Sequence, residues 1–155
     1  MYLTLITILD KSMDQKIRIN ETDSEIQACY PVMVQLRPHL SAEQFLSQVR
    51  QQMRDGYKLA SLIQGGQVVA VAGYRILRCL AWSRFLYVDD LVTDEAQRSL
   101  GHGKALLDWL IGEARREECQ ELHLDSGIQR KDAHRFYNRE GMQMLGYHYR
   151  LEIKQ

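Results

Sequence analysis

Charge of one sign, long apolar runs, paired cysteines and proline are all scarce in this chain, and each scarcity removes a class of function. Lysine and arginine number 20 and aspartate and glutamate 20, so the formal net charge is zero. A protein that holds nucleic acid by its phosphates normally carries a strong basic excess, so no nucleic-acid partner is expected. No apolar stretch approaches the roughly 20 residues of a membrane-spanning helix, so no membrane partner is expected either. The opening stretch Met1–Leu9 turns polar at Asp10 and Lys11 and lacks the basic leader and small-residue cleavage site of a secretory signal. It reads as an extra strand or an N-terminal extension over residues 1–12. Cys29, Cys79 and Cys119 are odd in number and include no CxxC spacing, which fits free thiols in a reducing, cytoplasmic compartment. His102, His123, His134 and His148 have no tight metal-ligand spacing, and no metal is expected. The two prolines, Pro31 and Pro38, both fall early, and neither a repeat nor a linker interrupts the chain. Residues 1–155 therefore read as one domain, long enough to bury a sizeable core.

What is present is a clear succession of periods. Lys16–Asn20 alternates polar and apolar side chains as a short strand does. Thr22 with Glu25, and Ser41 with Gln44, have the spacing of helix capping boxes. Behind the first, Ile26, Cys29 and Tyr30 form an apolar face that Pro31 is expected to end or kink. Behind the second, Phe45, Val49 and Met53 mark a buried stripe, and Gly56 is placed to stop the helix. Tyr57–Ile63 and Gln67–Ile76 are strand-like runs joined by Gln64-Gly65-Gly66, a hairpin turn that uses two glycines for positive φ. A third strand runs from about Phe85 to Thr93.

From Gly101 the period becomes helical, with Leu106, Leu107, Leu110, Ile111 and Ala114 on one face. Glu121–Asp125 alternates as a strand, and Ala133, Phe136 and Tyr137 line a further helix that Gly141 can end. Tyr147, Tyr149, Leu151 and Ile153 alternate with His148, Arg150 and Glu152 as a last strand. The order β-α-α-β-β-β-α-β-α-β predicts an α/β (α+β) fold, a mixed sheet flanked by about four helices.

The stretch Leu91–Ala105 carries the most chemical information. A strand runs into a loop, and the loop opens a helix through Gly101 and Gly103. Unpaired N–H groups and the positive end of the helix dipole make such a start an anion site, and glycines allow close approach. Arg98 and Lys104 add positive charge suited to a diphosphate. The spacing satisfies neither GxxxxGK[ST] nor GxGxxG, which argues against a nucleotide P-loop and a dinucleotide fold.

These residues resemble the GNAT superfamily of acyl-CoA N-acyltransferases. Arg98-Ser99-Leu100-Gly101-His102-Gly103 matches its [Q/R]xxGx[G/A] motif, and Leu91-Val92-Thr93 stands where the family has LxV, with threonine replacing valine. Asp132–Met142 looks like the family's AxxFYxxxGF element, departing at Met142, where phenylalanine is usual. Arg130 stands where the family often has an asparagine touching the pantetheine arm. The resemblance implies a GNAT-type, mainly antiparallel central sheet and acetyl-CoA as co-substrate. It implies that the backbone of Leu91 and Thr93 pairs with pantetheine and that an N–H near Leu91 or Val92 polarises the thioester carbonyl. The N–H groups of Arg98, Ser99, Leu100, Gly101, His102, Gly103 and Lys104 would hold the pyrophosphate. Arg130, Lys131, Arg135 and Arg139 are either a solvated helix face or a partner for the cofactor's 3′-phosphate.

Tyr137, in the FY pair, is the candidate general acid toward the leaving thiolate. Asp89 and Asp90 are the candidates for accepting the amine's proton. Adjacent strand residues point to opposite faces, so one of the two is expected in the site; the family's register picks Asp89. The expected reaction is acetyl transfer to a primary amine, most simply on a small molecule. The alternatives are acetylation of a peptide amine and a non-catalytic acyl-CoA-binding module. The tyrosine-rich last strand is a candidate for pairing two copies into a homodimer if it lies at a sheet edge.

Overall fold

The computed structural model describes residues 14–154. Its elements follow the order β1 (Gln15–Ile19), α1 (Asp23–Leu36), α2 (Ala42–Arg54), β2 (Lys58–Gln64), β3 (Gln67–Cys79), β4 (Ser83–Thr93), α3 (His102–Arg116), β5 (Glu121–Leu124) and α4 (Lys131–Arg139). The Met1–Leu9 stretch lies outside the described residues. The five strands form one sheet in chain order, antiparallel from β1 to β4 and parallel between β4 and β5. This is the expected mixed, mainly antiparallel sheet flanked by four helices.

Local chemistry sets most of the boundaries. Thr22 and Ser41 each form a complete capping box, with Glu25 and Gln44 reaching back to the cap backbone. Gly56 (φ 87°) follows α2 in the left-handed region, and Gly65 and Gly66 (φ 56° and 76°) turn the β2–β3 hairpin as a primed turn requires.

α1 does not stop at Pro31 as the sequence suggests; it continues to Leu36. Val32 and Met33, just beyond the proline, are buried with Ile26 and Cys29. Tertiary packing of that face outweighs the hydrogen bond that the proline cannot make.

Two apolar clusters sandwich the sheet. One, with Tyr74, Leu86, Val88, Leu106 and Leu110, lies under α3; the other, with Ile26, Met33, Phe45, Val49, Tyr57 and Leu59, lies under α1 and α2.

The expected last strand over Tyr147–Ile153 is not formed. Residues 142–154 carry no regular secondary structure and are almost wholly exposed. The alternation is there in the residues, but a strand also needs a partner for its backbone, and among the described residues this segment has none.

Candidate active site

The site begins with a slip in β4. Gly73 pairs with Asp90 and Tyr74 with Val88, so Asp89 is an extra residue opposite β3, a β-bulge. The packing records the same slip: Leu86, Val88 and then Leu91 all join the α3-side cluster, although strict alternation would place Leu91 on the other face. One residue of excess is absorbed at Asp89. Both Asp89 and Asp90 consequently line one cavity of about 390 Å³, walled by Met33, Phe45, Val49 and Tyr57. This corrects the expectation that neighbouring strand residues diverge and that only one aspartate reaches the site.

The two carboxylates are held differently. Asp90 Oδ2 accepts from Tyr57 Oη at 2.9 Å, and Oδ1 accepts from Arg37 Nε at 2.8 Å. Arg37 also donates to the backbone carbonyl of Asp89 at 3.1 Å, tying the bulge to the end of α1. Asp89 Oδ2 accepts from Arg75 Nε at 2.9 Å, while Arg75 donates through its other arm to Gln52 Oε1 at 2.6 Å. Burial raises the Asp89 carboxyl above its ordinary value of 3.8, against the opposing pull of Arg75. Desolvation, reinforced by the Asp90 charge, raises the Tyr57 phenol well above its usual range.

The bulge also coincides with the place where β4 loses its other neighbour. The parallel pairing with β5 ends at Val88–Leu124, so Asp89–Thr93 runs on with no strand along that edge among the described residues. Val92 is buried under α1 and α2, Leu91 packs toward α3, and Thr93 reaches the start of α3. There the chain turns through Ser99 (φ 63°) and Gly101 (φ 86°), and α3 starts without a side-chain cap. Its first N–H groups are therefore left for another acceptor. A Cβ at Gly103 would stand 3.3 Å from Thr93 Oγ1 and 3.8 Å from the Phe136 ring, so this glycine lets β4, α3 and α4 meet closely.

The predicted residues around this turn differ in their surroundings. Leu100 and Arg98 are exposed, and Arg98 has no ion-pair partner among the described residues. Lys104 is engaged, 2.9 Å from Asp108 and 3.2 Å from Glu140. His102 is buried with Nδ1 3.1 Å from Gln15 Nε2, and its Nε2 has no partner among the described residues. Tyr137 stands on α4 beside Phe136, ring centroids 5.3 Å apart. Its phenol is raised by desolvation, with the Arg130 charge opposing, and no side-chain partner holds it among the described residues. Of the basic cluster, Arg135 pairs with Asp132, and Arg139 pairs with Glu140 and lies over the Phe136 ring. No cluster of metal-ligating side chains occurs among the described residues.

Sequence reasoning did not single out Arg37, Tyr57 or Arg75. Each is joined to Asp89 or Asp90 across 14 to 53 residues of chain, and no local motif links them. The one available signal was the Asp-Asp pair itself, two residues of poor strand propensity in the middle of a strand.

The model of the Acetyltransferase (GNAT) family matches residues 19–142. An uncharacterized N-acetyltransferase, YhdJ of Bacillus subtilis, is 35% identical over 126 residues, which is 80% of this chain and 89% of that protein. The aminoalkylphosphonate N-acetyltransferase of Salmonella typhimurium is 34% identical over 86 residues, about half of each chain (55% and 54%). Among solved structures, the aminoglycoside N-acetyltransferase AAC(6')-Iy in complex with CoA superposes with a TM-score of 0.79 at 13% identity, covering 91% of this chain and 95% of that one. A Trypanosoma brucei acetyltransferase gives 0.74 at 23% identity, covering 90% of this chain and all of that one (100%).

Proposed function

The chain belongs to the acetyltransferase (GNAT) family and is an N-acetyltransferase, and on that premise we propose that it moves an acetyl group from acetyl-CoA to a primary amine of a small molecule. The observation that carries the reading is the bulge at Asp89. At one residue, β4 turns two carboxylates into one cavity and begins the open edge that leads to the uncapped start of α3.

In this reading the open edge at Leu91, Val92 and Thr93 pairs with the pantetheine amides as an added strand. The N–H groups from Arg98 to Lys104 take the pyrophosphate. The Ser99 and Gly101 conformations fit such a cradle, since among the described residues these groups donate no backbone bond, and Arg98 adds a cation with no ion pair there. Ser99, Leu100, His102 and Gly103 contribute through the backbone.

The acceptor enters as an ammonium, since an alkyl amine has a pKa of about 10.4. Asp89 takes its proton, directly or through water. A carboxyl raised by burial is a stronger base than an exposed one, and Arg75 bonds Oδ2 of Asp89, leaving Oδ1 without a partner among the described residues. Asp90 is saturated by Tyr57 and Arg37 and acts as a positioning residue for the bulge.

The neutral amine then attacks the thioester carbon, and an N–H of the Leu91–Val92 segment donates to the oxyanion. As the C–S bond breaks, Tyr137 gives its phenolic proton to the departing sulfur, and the second proton of the attacking nitrogen passes through water to the phenolate, leaving the N-acetyl amine, the free thiol and a restored Tyr137. Its raised pKa keeps it protonated until that moment.

The aminoalkylphosphonate relative and the Arg37 guanidinium in the cavity wall support a short primary amine that also carries an anionic group.

The test is thiol release from acetyl-CoA against aminoalkylphosphonates, polyamines, aminoglycosides, amino acids and short peptides. Amine-dependent release with a short anionic amine is expected. Release with none of them, despite CoA binding, would turn the reading to an acyl-CoA-binding module. Tyr137→Phe is expected to lower turnover by about 10²-fold or more with CoA affinity kept; unchanged turnover would remove Tyr137 from the mechanism.

A further inference from the structure

One buried hydroxyl borders the gap between β4 and β5 and takes no part in the chemistry above. Ser126 lies two residues past Leu124, where the parallel pairing with Val88 ends. Its Oγ is shut off from solvent and has no hydrogen-bond partner among the described residues. Leaving a buried hydroxyl unpaired costs stability, and an acceptor brought by a ligand removes that cost.

Its neighbours fix the direction in which Ser126 points. Leu122 and Leu124 pack toward the α3-side cluster. Asp125 turns the other way, where Tyr87, in the wall of the aspartate cavity, donates to its Oδ2 at 2.8 Å. At the strand's period of two, Ser126 follows the leucines to the α3 side. Leu91, beyond the bulge in β4, lies on that side, as does α4, which reaches the start of α3 through Phe136. The chain after Ser126 is folded onto α4 itself. The Gly127 carbonyl accepts from His134 Nε2 at 2.8 Å and from the Arg130 N–H at 3.0 Å. His134 stands about one turn before Tyr137, whose phenol is also desolvated and held by no side chain among the described residues. Two unpartnered hydroxyls, one after β5 and one on α4, thus flank the same end of the gap.

We propose that Ser126 is a further catalytic residue, its Oγ–H donating a hydrogen bond to the sulfur of the acyl-CoA beside Tyr137. The proposal rests on the transferase reading given above. A thioester sulfur is a poor acceptor, whereas a thiolate carries a full charge and is a good one. The bond therefore strengthens as the C–S electron pair collects on sulfur, which favours the transition state over the bound substrate. Tyr137 supplies the proton that ends on sulfur. Ser126 keeps its own, and no covalent bond to it forms or breaks.

Free CoA reads the contact without any acceptor amine. Ultraviolet absorbance follows the ionisation of the bound CoA thiol with pH, and the desulfo-CoA complex is the blank for the protein's own groups. A donor to the thiolate favours ionisation, so Ser126→Ala is expected to lower the ionisation constant of the bound thiol by about threefold or more. Calorimetry is expected to give desulfo-CoA the same affinity for both forms. Turnover is expected to fall about tenfold at unchanged KM for acetyl-CoA, less than the roughly 10²–10³-fold of an oxyanion donor because sulfur is the weaker acceptor. Without ligand, Ser126→Ala is expected to unfold no lower than the unaltered chain; a lower midpoint would give the hydroxyl a structural partner and count against the proposal. An unchanged thiol ionisation constant overturns it, as does an equal loss of affinity for CoA and desulfo-CoA, which would place the hydroxyl elsewhere on the cofactor. Absence of CoA binding by the unaltered chain would overturn it together with the transferase reading beneath it.

Discussion

Tyr57 Oη donates to Asp90 Oδ2 at 2.9 Å, and the Tyr57 ring occupies the space where residue 73 would carry a side chain. A Cβ at Gly73 would stand 1.9 Å from that hydroxyl and 2.4 Å from the ring carbon bearing it. The absence of a side chain on β3 thus admits the phenol that fixes a carboxylate on β4. Tyr57→Phe removes one hydrogen bond to a charged group and is expected to cost roughly 1.5–3 kcal/mol. Gly73→Ala forces the ring out and is expected to cost at least the about 1–3 kcal/mol of an overpacked core. Because both act through one contact, their effects are non-additive: in a Tyr57→Leu background the Gly73→Ala penalty shrinks. Urea unfolding of the four variants measures it, and full additivity would refute the contact.

Arg75 and Asp89 make the pH dependence predictable in sign. Burial raises the Asp89 carboxyl, and the Arg75 hydrogen bond and charge pull it down. If Asp89 is the base, activity falls on the acid side as it protonates, at a pH above the 3.8 of an ordinary aspartate. Arg75→Met removes the downward pull, so the acid limb of kcat/KM moves to higher pH; Asp89→Asn abolishes that limb together with most turnover. For stability the raised pKa means that the folded state binds this proton more tightly than the unfolded chain. The Asp89 contribution is therefore lost as pH rises from 3.8 through the folded value, and Asp89→Asn is expected to remove that slope. A limb that stays in place in Arg75→Met would assign it to another group.

The features legible in the sequence are those in which cause and effect lie within a few residues. Thr22 with Glu25 and Ser41 with Gln44 announced two helix starts because a capping box is closed by its own third residue. Gly65-Gly66 announced the hairpin because φ is a property of the residue itself. The bulge was hidden, since an extra residue in β4 is defined only against Gly73 on β3. Its consequence, two aspartates on one face, was hidden with it. Pro31 misled for the opposite reason: its local cost is real, and the burial that overcomes it, at Val32 and Met33, is tertiary. The alternation from Tyr147 to Ile153 also misled: a period says nothing of what would pair with the segment, and the structure forms no strand there.

Gly101 holds φ at 86° immediately before α3, with open space where a Cβ would go. Its replacement is therefore a nearly pure test of backbone conformation. Gly101→Ala is expected to cost about 1–2 kcal/mol, the penalty of the left-handed region for a residue with a Cβ. No packing loss is added to it. If the loop's N–H groups hold the pyrophosphate, a shift of the loop to relieve the strain also weakens CoA binding. Calorimetry of CoA binding alongside thermal unfolding separates the two, and a loss of stability with CoA affinity fully retained would detach the loop from the cofactor.

Lys104 and Arg98 look equivalent in the sequence, two cations flanking the glycines, but they do not stand equal in the structure. Lys104 is already bonded to Asp108 and Glu140, an arrangement that pins the start of α3 to the end of α4. A diphosphate would have to share that ammonium with two carboxylates. Arg98 is exposed, with no ion pair among the described residues, and its charge is free to meet an incoming anion. Arg98→Ala is therefore expected to weaken CoA binding by about tenfold, equivalent to about 1.4 kcal/mol. Lys104→Ala is expected to change it less. Glu140→Gln releases part of the Lys104 charge and is expected to strengthen CoA binding at low salt, an effect that fades as salt screens the site. A larger loss from Lys104→Ala than from Arg98→Ala would mean that the lysine leaves its carboxylates when CoA arrives.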